Sequence, residues 1–128
     1  MCVLARCHPA IAGLASRLFY EGRLLDGLTE QDRAPVFEGL PTVCMVETDG
    51  SEQRIGSTYS NESEARAICK LCRVLVDNGV EQTDIGVVSL YTAQASRITD
   101  MLASSTAAAV KSSTVDAFQV KLHGWQAE

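Results

Sequence analysis

Along the chain, apolar residues recur with a helical period in three stretches and bunch into short unbroken runs in three others. Residues 10–20, "AIAGLASRLFY", put Ile11, Leu14, Ala15, Leu18 and Phe19 on one helical face, and Pro9 suits the first turn, where its missing N–H costs nothing. A second helix is predicted after Asn61, with Ala65, Ile68, Cys72 and Leu75 on one stripe. Asn61 and Glu64 form N-x-x-E, a capping box with Asn in the Ser/Thr position, and Gly79 stands where a left-handed terminating residue is wanted. The third helix covers 92–105, with Ile98, Met101 and Leu102 facing inward. The runs "TVCMVE" (42–47) and "DIGVVSLY" (84–91) predict buried strands, and "AAAVKSSTV" (107–115) is expected to carry a third, shorter strand. Residues 21–41, with their glycines and prolines, and the polar 49–60 are expected to be loops. Strands alternating with helices of this length imply an α/β fold with a parallel sheet and crossover helices. In such sheets ligands gather at the carboxyl ends of the strands, here "ETDG", "SLYTAQ" and "STVDAFQ".

Composition narrows this picture. A chain of 128 residues fits one domain with one core, and because aromatics are only 5%, aliphatic residues must fill it. The net charge of −5 is unlike that of a freestanding nucleic-acid binder, which usually carries a basic face. No apolar run approaches the length of a membrane span, and Pro9 and a lone preceding Arg6 make the N-terminus a poor signal peptide. Five cysteines without framework spacing add to the expectation of a reducing, intracellular location.

Candidate chemistry is sparse. There is no G-x-x-x-x-G-K-[ST] loop and no G-x-G-x-x-G turn, so the sequence carries no phosphate cradle and does not encode a complete P-loop ATPase. Cys69 and Cys72 make a C-x-x-C, but a zinc site generally needs four ligands and there is no second pair. The plainer reading is two small core residues, and no metal site is expected. Cys7 and His8 read as a helix-start turn rather than a dyad. Ser89 and Tyr91 end a strand, Gln94 lies in the first turn of the next helix, and Thr114 ends the third strand; each position suits either phosphate contact or ordinary capping.

Four stretches, "RCHPAIAGLASRLFYEGRLLDGLTEQDR" (6–33), "SNESEA" (60–65), "DIGVVSLYTAQ" (84–94) and "STVDAFQ" (113–119), together resemble the second RecA-like domain of superfamily I helicases of the up-frameshift/NAM7 type. Within that family the chain most resembles the GRF-zinc-finger helicases. The resemblance implies an incomplete RecA-like, P-loop NTPase-type sheet over 6–119. It also implies a part in an ATP-dependent motor acting on single-stranded DNA or RNA, with a first RecA-like domain as partner and no membrane. Arg6 matches the arginine of R-x-H-P that reaches the γ-phosphate, a role suited to a planar, permanently charged guanidinium. Ser89, Tyr91 and Gln94 match the segment near the nucleic-acid backbone, Thr114 matches a hydroxyl that contacts a phosphate, and Gln119 matches a nucleotide-side position. ATP and Mg would be held by the complete parent and not by this chain alone, which is expected to be inactive by itself. The family suggests the nucleus, with the cytoplasm as the other location.

Departures from the family pattern carry expectations of their own. Ala5 replaces a tyrosine that stacks on adenine, Val120 replaces the glycine after Phe-Gln, and the last family motif is missing. Gln119-Val120-Lys121 can be encoded as CAG-GTG-AAG, an exon end running into an intron donor, and Ala5-Arg6 as GCC-AGG, which contains an acceptor CAG. Residues 1–5 and 120–128 are therefore expected to be divergent flanks of translated intron, an idea that a genomic sequence without GT after the Gln119 codon overturns. The competing reading is a truncated isoform acting as a non-catalytic nucleic-acid or protein binding module.

Overall fold

The structure is a computed structural model that describes residues 2–4, 8–33, 39 and 41–122. The chain divides into two compact units, Met1–Val46 and Glu47–Glu128.

In the first unit, strand β1 (Cys2–Leu4) pairs in parallel with β2 (Leu24–Asp26), and helix α1 (Pro9–Phe19) makes the crossover. α1 begins as its sequence predicts. Pro9 opens the helix, and His8 caps it by accepting the Ala10 N–H at Nδ1, 3.0 Å away. α1 buries Ala12 and Ser16, and Ser16 Oγ accepts the N–H of Leu24 at 3.2 Å, which ties helix to strand. Ile11, Leu14, Leu18 and Phe19, the face marked by periodicity, stay exposed. Two sequence expectations fail here. β2 lies inside the stretch expected to be a loop, and residues 42–47 form no strand, with Met45 98% exposed. A β-branched run becomes a strand only when another strand takes its backbone hydrogen bonds, and no described residue pairs with 42–47.

The second unit opens with a hairpin, β3 (Gln53–Ile55) and β4 (Thr58–Ser60), where a polar loop was expected. Helix α2 (Glu62–Asp77) follows and ends in a Schellman motif. Gly79, at φ 90°, lets its own N–H reach Val76 O and the Val80 N–H reach Leu75 O, both at 3.0 Å. After a 3-10 turn (Gln82–Asp84) come β5 (Gly86–Ser89), α3 (Thr92–Ala103), β6 (Lys111–Thr114) and α4 (Val115–Leu122). β5 and β6 pair in parallel across the α3 crossover, within the two runs predicted as strands. The core lies between α2, α3 and this pair. It contains Ala65, Cys69, Cys72, Val87, Ile98, Leu102, Ala107 and Val110. Cys69 and Cys72 thus sit among apolar side chains, and burial pushes both thiols up from their ordinary value. On the opposite face of the sheet Phe118 of α4 covers Gly86; a Cβ at residue 86 would stand 2.8 Å from the Phe118 ring.

Candidate nucleic-acid site

The carboxyl end of β5 meets the amino ends of α2 and α3, and each helix is capped from outside itself. α3 has no capping side chain at Tyr91; instead Thr58 of the hairpin accepts the Ala93 N–H at Oγ1, 3.4 Å away. α2 has the predicted Asn61 cap, with Oδ1 accepting from the N–H groups of Ser63 and Glu64 at 3.0 and 3.3 Å. The other half of the box is rearranged. Glu64 accepts from Asn61 Nδ2 at 3.2 Å, while the Asn61 N–H, which a box glutamate would satisfy, donates to Gln94 Oε1 at 2.9 Å.

Gln94 is 5% exposed and both ends of its amide are engaged. Oε1 also accepts from Ser60 Oγ at 2.9 Å, and Nε2 donates to Asn61 O at 3.1 Å and to Glu64 Oε2 at 3.4 Å. A buried amide with all these partners is a strut, since removing it would strand several polar groups away from water. Glu62, at the first turn of α2, pairs with both Arg66 and Arg97, which adds a second tie between α2 and α3.

Above this strut lies a cleft of about 290 Å³, with Glu52, Tyr59, Glu64, Ser89 and Tyr91 among its lining residues. The rings of Tyr59 and Tyr91 are tilted by 58° with centroids 5.2 Å apart, a separation within the range of interacting aromatic pairs. Ser89 Oγ closes a tight turn, accepting the Tyr91 N–H and standing 3.2 Å from Tyr91 O. Strand register sets Ser89 directly beside Thr114. Paired residues of neighbouring strands share a face, and Ser112, two residues before Thr114, donates to Ala95 O of α3, so this is the face that α3 covers.

The structure therefore brings Ser89, Tyr91 and Gln94 to one cleft and Thr114 to its neighbouring strand end. Gln119 is carried on α4, and Arg6 lies outside the described residues. Sequence reasoning missed Glu52 and Tyr59 as neighbours of this site. The signal for Tyr59 was present, because it immediately precedes the capping stretch, but its segment was expected to be a loop.

Parallel strands with polar residues at their carboxyl ends, each followed by a helix, are the arrangement of a RecA-like α/β domain. The AAA domain family matches residues 4–121. The chain belongs to that family, within the up-frameshift-type superfamily I helicases. It is 43% identical over 120 residues to the 5'-3' DNA helicase ZGRF1 of Mus musculus, covering 89% of this chain and 6% of that protein. Regulator of nonsense transcripts 1 of Caenorhabditis elegans is 31% identical over 135 residues, covering 89% and 12%. The DNA replication ATP-dependent helicase/nuclease DNA2 of Mus musculus is 37% identical over 89 residues, covering 67% and 8%. The chain thus spans between 6% and 12% of the length of these relatives. Among the described residues no helix is long and apolar enough to cross a membrane.

Proposed function

We propose that this chain works as part of the second motor domain of an intracellular, ATP-dependent superfamily I helicase. In this reading a single strand of DNA or RNA runs across the carboxyl ends of β5 and β6. The observation that carries it is the register that pairs Ser89 with Thr114, two hydroxyls that neighbour each other although far apart in sequence. Both stand just ahead of a helix, where backbone N–H groups and hydroxyls suit a phosphate. Tyr91 contributes at the same strand end, and Gln94 contributes by holding Asn61 and Glu64 in place. Arg6 is the proposed γ-phosphate arginine and Gln119 a nucleotide-side residue. ATP and Mg would be held mainly by the P-loop of a first RecA-like domain, a motif this sequence lacks, and would supply the phosphoryl-transfer energy. By itself the chain is expected to bind strands without hydrolysing ATP, which is where the binding-module reading and the helicase reading coincide.

Amide shifts of the isotopically labelled chain, titrated with single-stranded DNA and RNA at low ionic strength, test this reading. Shifts should centre on residues 89–94 and 114–116 and fade as salt is raised. An unchanged spectrum with both strands would remove the nucleic-acid reading.

A further inference from the structure

The cleft beside Ser89 is a poor place for a phosphate, and its lining says what suits it better. Glu52 and Glu64 bring two carboxylates to it, and no lysine, arginine or histidine lines it among the described residues. One wall is the Tyr59–Tyr91 pair. The floor is the Gln94 amide, whose partners are already fixed, so it cannot turn to offer free donors. Such a lining offers flat aromatic surface and hydrogen-bond acceptors, at a size near the lower end of small-molecule sites. Single-strand sites combine a backbone track with aromatic platforms for bases, and here the Ser89–Thr114 line supplies the track.

Resting on the strand-binding reading above, we infer that this cleft takes one unstacked nucleobase of the bound strand and favours a base with an exocyclic amino group, cytosine or adenine, over uracil or thymine. The base lies against the tyrosine wall, and its amino group donates to the Glu64 or Glu52 carboxylate. Cytosine presents an N4 amino donor where uracil and thymine present the O4 acceptor. At that position O4 and a carboxylate are both acceptors and form no bond, whereas the N4 amino group makes a charge-assisted one, so the amino group decides the preference. Phosphate stays outside, at the strand ends, away from the two carboxylates.

The test is a titration of the full labelled chain with oligodeoxycytidine and oligodeoxyuridine of equal length, and separately with inorganic phosphate and a short Arg-Gly-Gly peptide. Oligodeoxycytidine should bind on the order of tenfold more tightly, with shifts at Tyr59, Glu64 and Tyr91 that oligodeoxyuridine does not produce. The E52Q/E64Q variant, whose amides can donate as well as accept, should bring the two affinities to within about twofold. Tyr91→Leu should weaken both strands alike, because stacking serves either base. If the double variant does not fold, the two oligonucleotides on the unaltered chain still decide. Equal affinities with shifts at Ser89 and Thr114 would overturn the base preference and leave the strand-binding reading standing. Cleft shifts with phosphate, or with the peptide and not with oligodeoxycytidine, would reassign the cleft to an anion or a cation. Silence with both oligonucleotides would remove both readings.

Discussion

In β1-α1-β2 the crossover helix buries Ala12 and Ser16; in β5-α3-β6 it buries Gln94, Ala95, Ile98 and Leu102. Both are parallel strand pairs bridged by an amphipathic helix of similar length. The difference is what faces the helix. α2 packs on α3 and brings Ala65, Cys69 and Cys72 to the shared core. The apolar face of α1, with Leu14 and Leu18, meets no comparable layer among the described residues of its own unit. Helical periodicity thus reports a preference for burial, whereas burial itself needs a second layer supplied elsewhere in the chain.

Matched substitutions sharpen this contrast. Ile98→Ala removes a side chain that is 0% exposed and should cost about 2–5 kcal/mol in urea denaturation. Leu18→Ala, at a position 65% exposed, should stay within about 0.5 kcal/mol. Similar losses at both sites would mean that the α1 face is covered after all, and the comparison would collapse.

Buried polar residues give a smaller, parallel pair. Gln94→Ala strands the Asn61 N–H and the Ser60 hydroxyl inside and should cost about 1–3 kcal/mol, with faster amide exchange at Ser63 and Glu64. Ser16→Ala frees only the Leu24 N–H and should cost about 1 kcal/mol, read as faster exchange at that single amide. A Gln94→Ala protein as stable as its parent would contradict the role of Gln94 as a strut.

The smallest effects separate the two units by pH. Burial raises the Cys69 and Cys72 thiols above their ordinary value of 9.0, although Arg73 opposes this at Cys69 and Cys69 reinforces it at Cys72. The folded state then holds protons that the unfolded chain releases. This contribution is fully present below the unfolded thiol pKa and is lost as pH rises through the folded values. Asp32 behaves oppositely. The Thr29 hydroxyl, then the Thr29 N–H, hold its carboxyl below 3.8. Its contribution to the local turn is present above that value and disappears as pH falls through the lowered one. Residue-resolved exchange across pH should show alkaline loss around Cys69 and Cys72 and acid loss near Thr29.

The parts of the fold legible in the sequence are those whose causes are local. The Asn61 cap, the Gly79 terminator, the Pro9 start and the runs around β5 and β6 each depend on residues within a turn or two. The failures are all questions of partnership. Residues 42–47 have strand chemistry and no paired strand among the described residues, whereas the polar β3–β4 hairpin and the three-residue β2 have weak strand chemistry and partners in register. Of the candidate site, the residue types at the strand ends were visible. The Ser89–Thr114 pairing, the bonds from Gln94 to Ser60 and Asn61, and the arrival of Tyr59 beside Tyr91 are long-range facts that no local pattern encodes.

The packing of Phe118 over Gly86 has a consequence for heredity. Every missense change at a glycine codon introduces a Cβ, and at residue 86 that atom would stand 2.8 Å from the Phe118 ring. Variation at this codon therefore acts on the Phe118 ring first. It turns the Phe118 ring aside or selects a smaller residue at 118. In a population these two positions should drift as a linked pair, while the exposed leucines of α1 are free to vary one at a time.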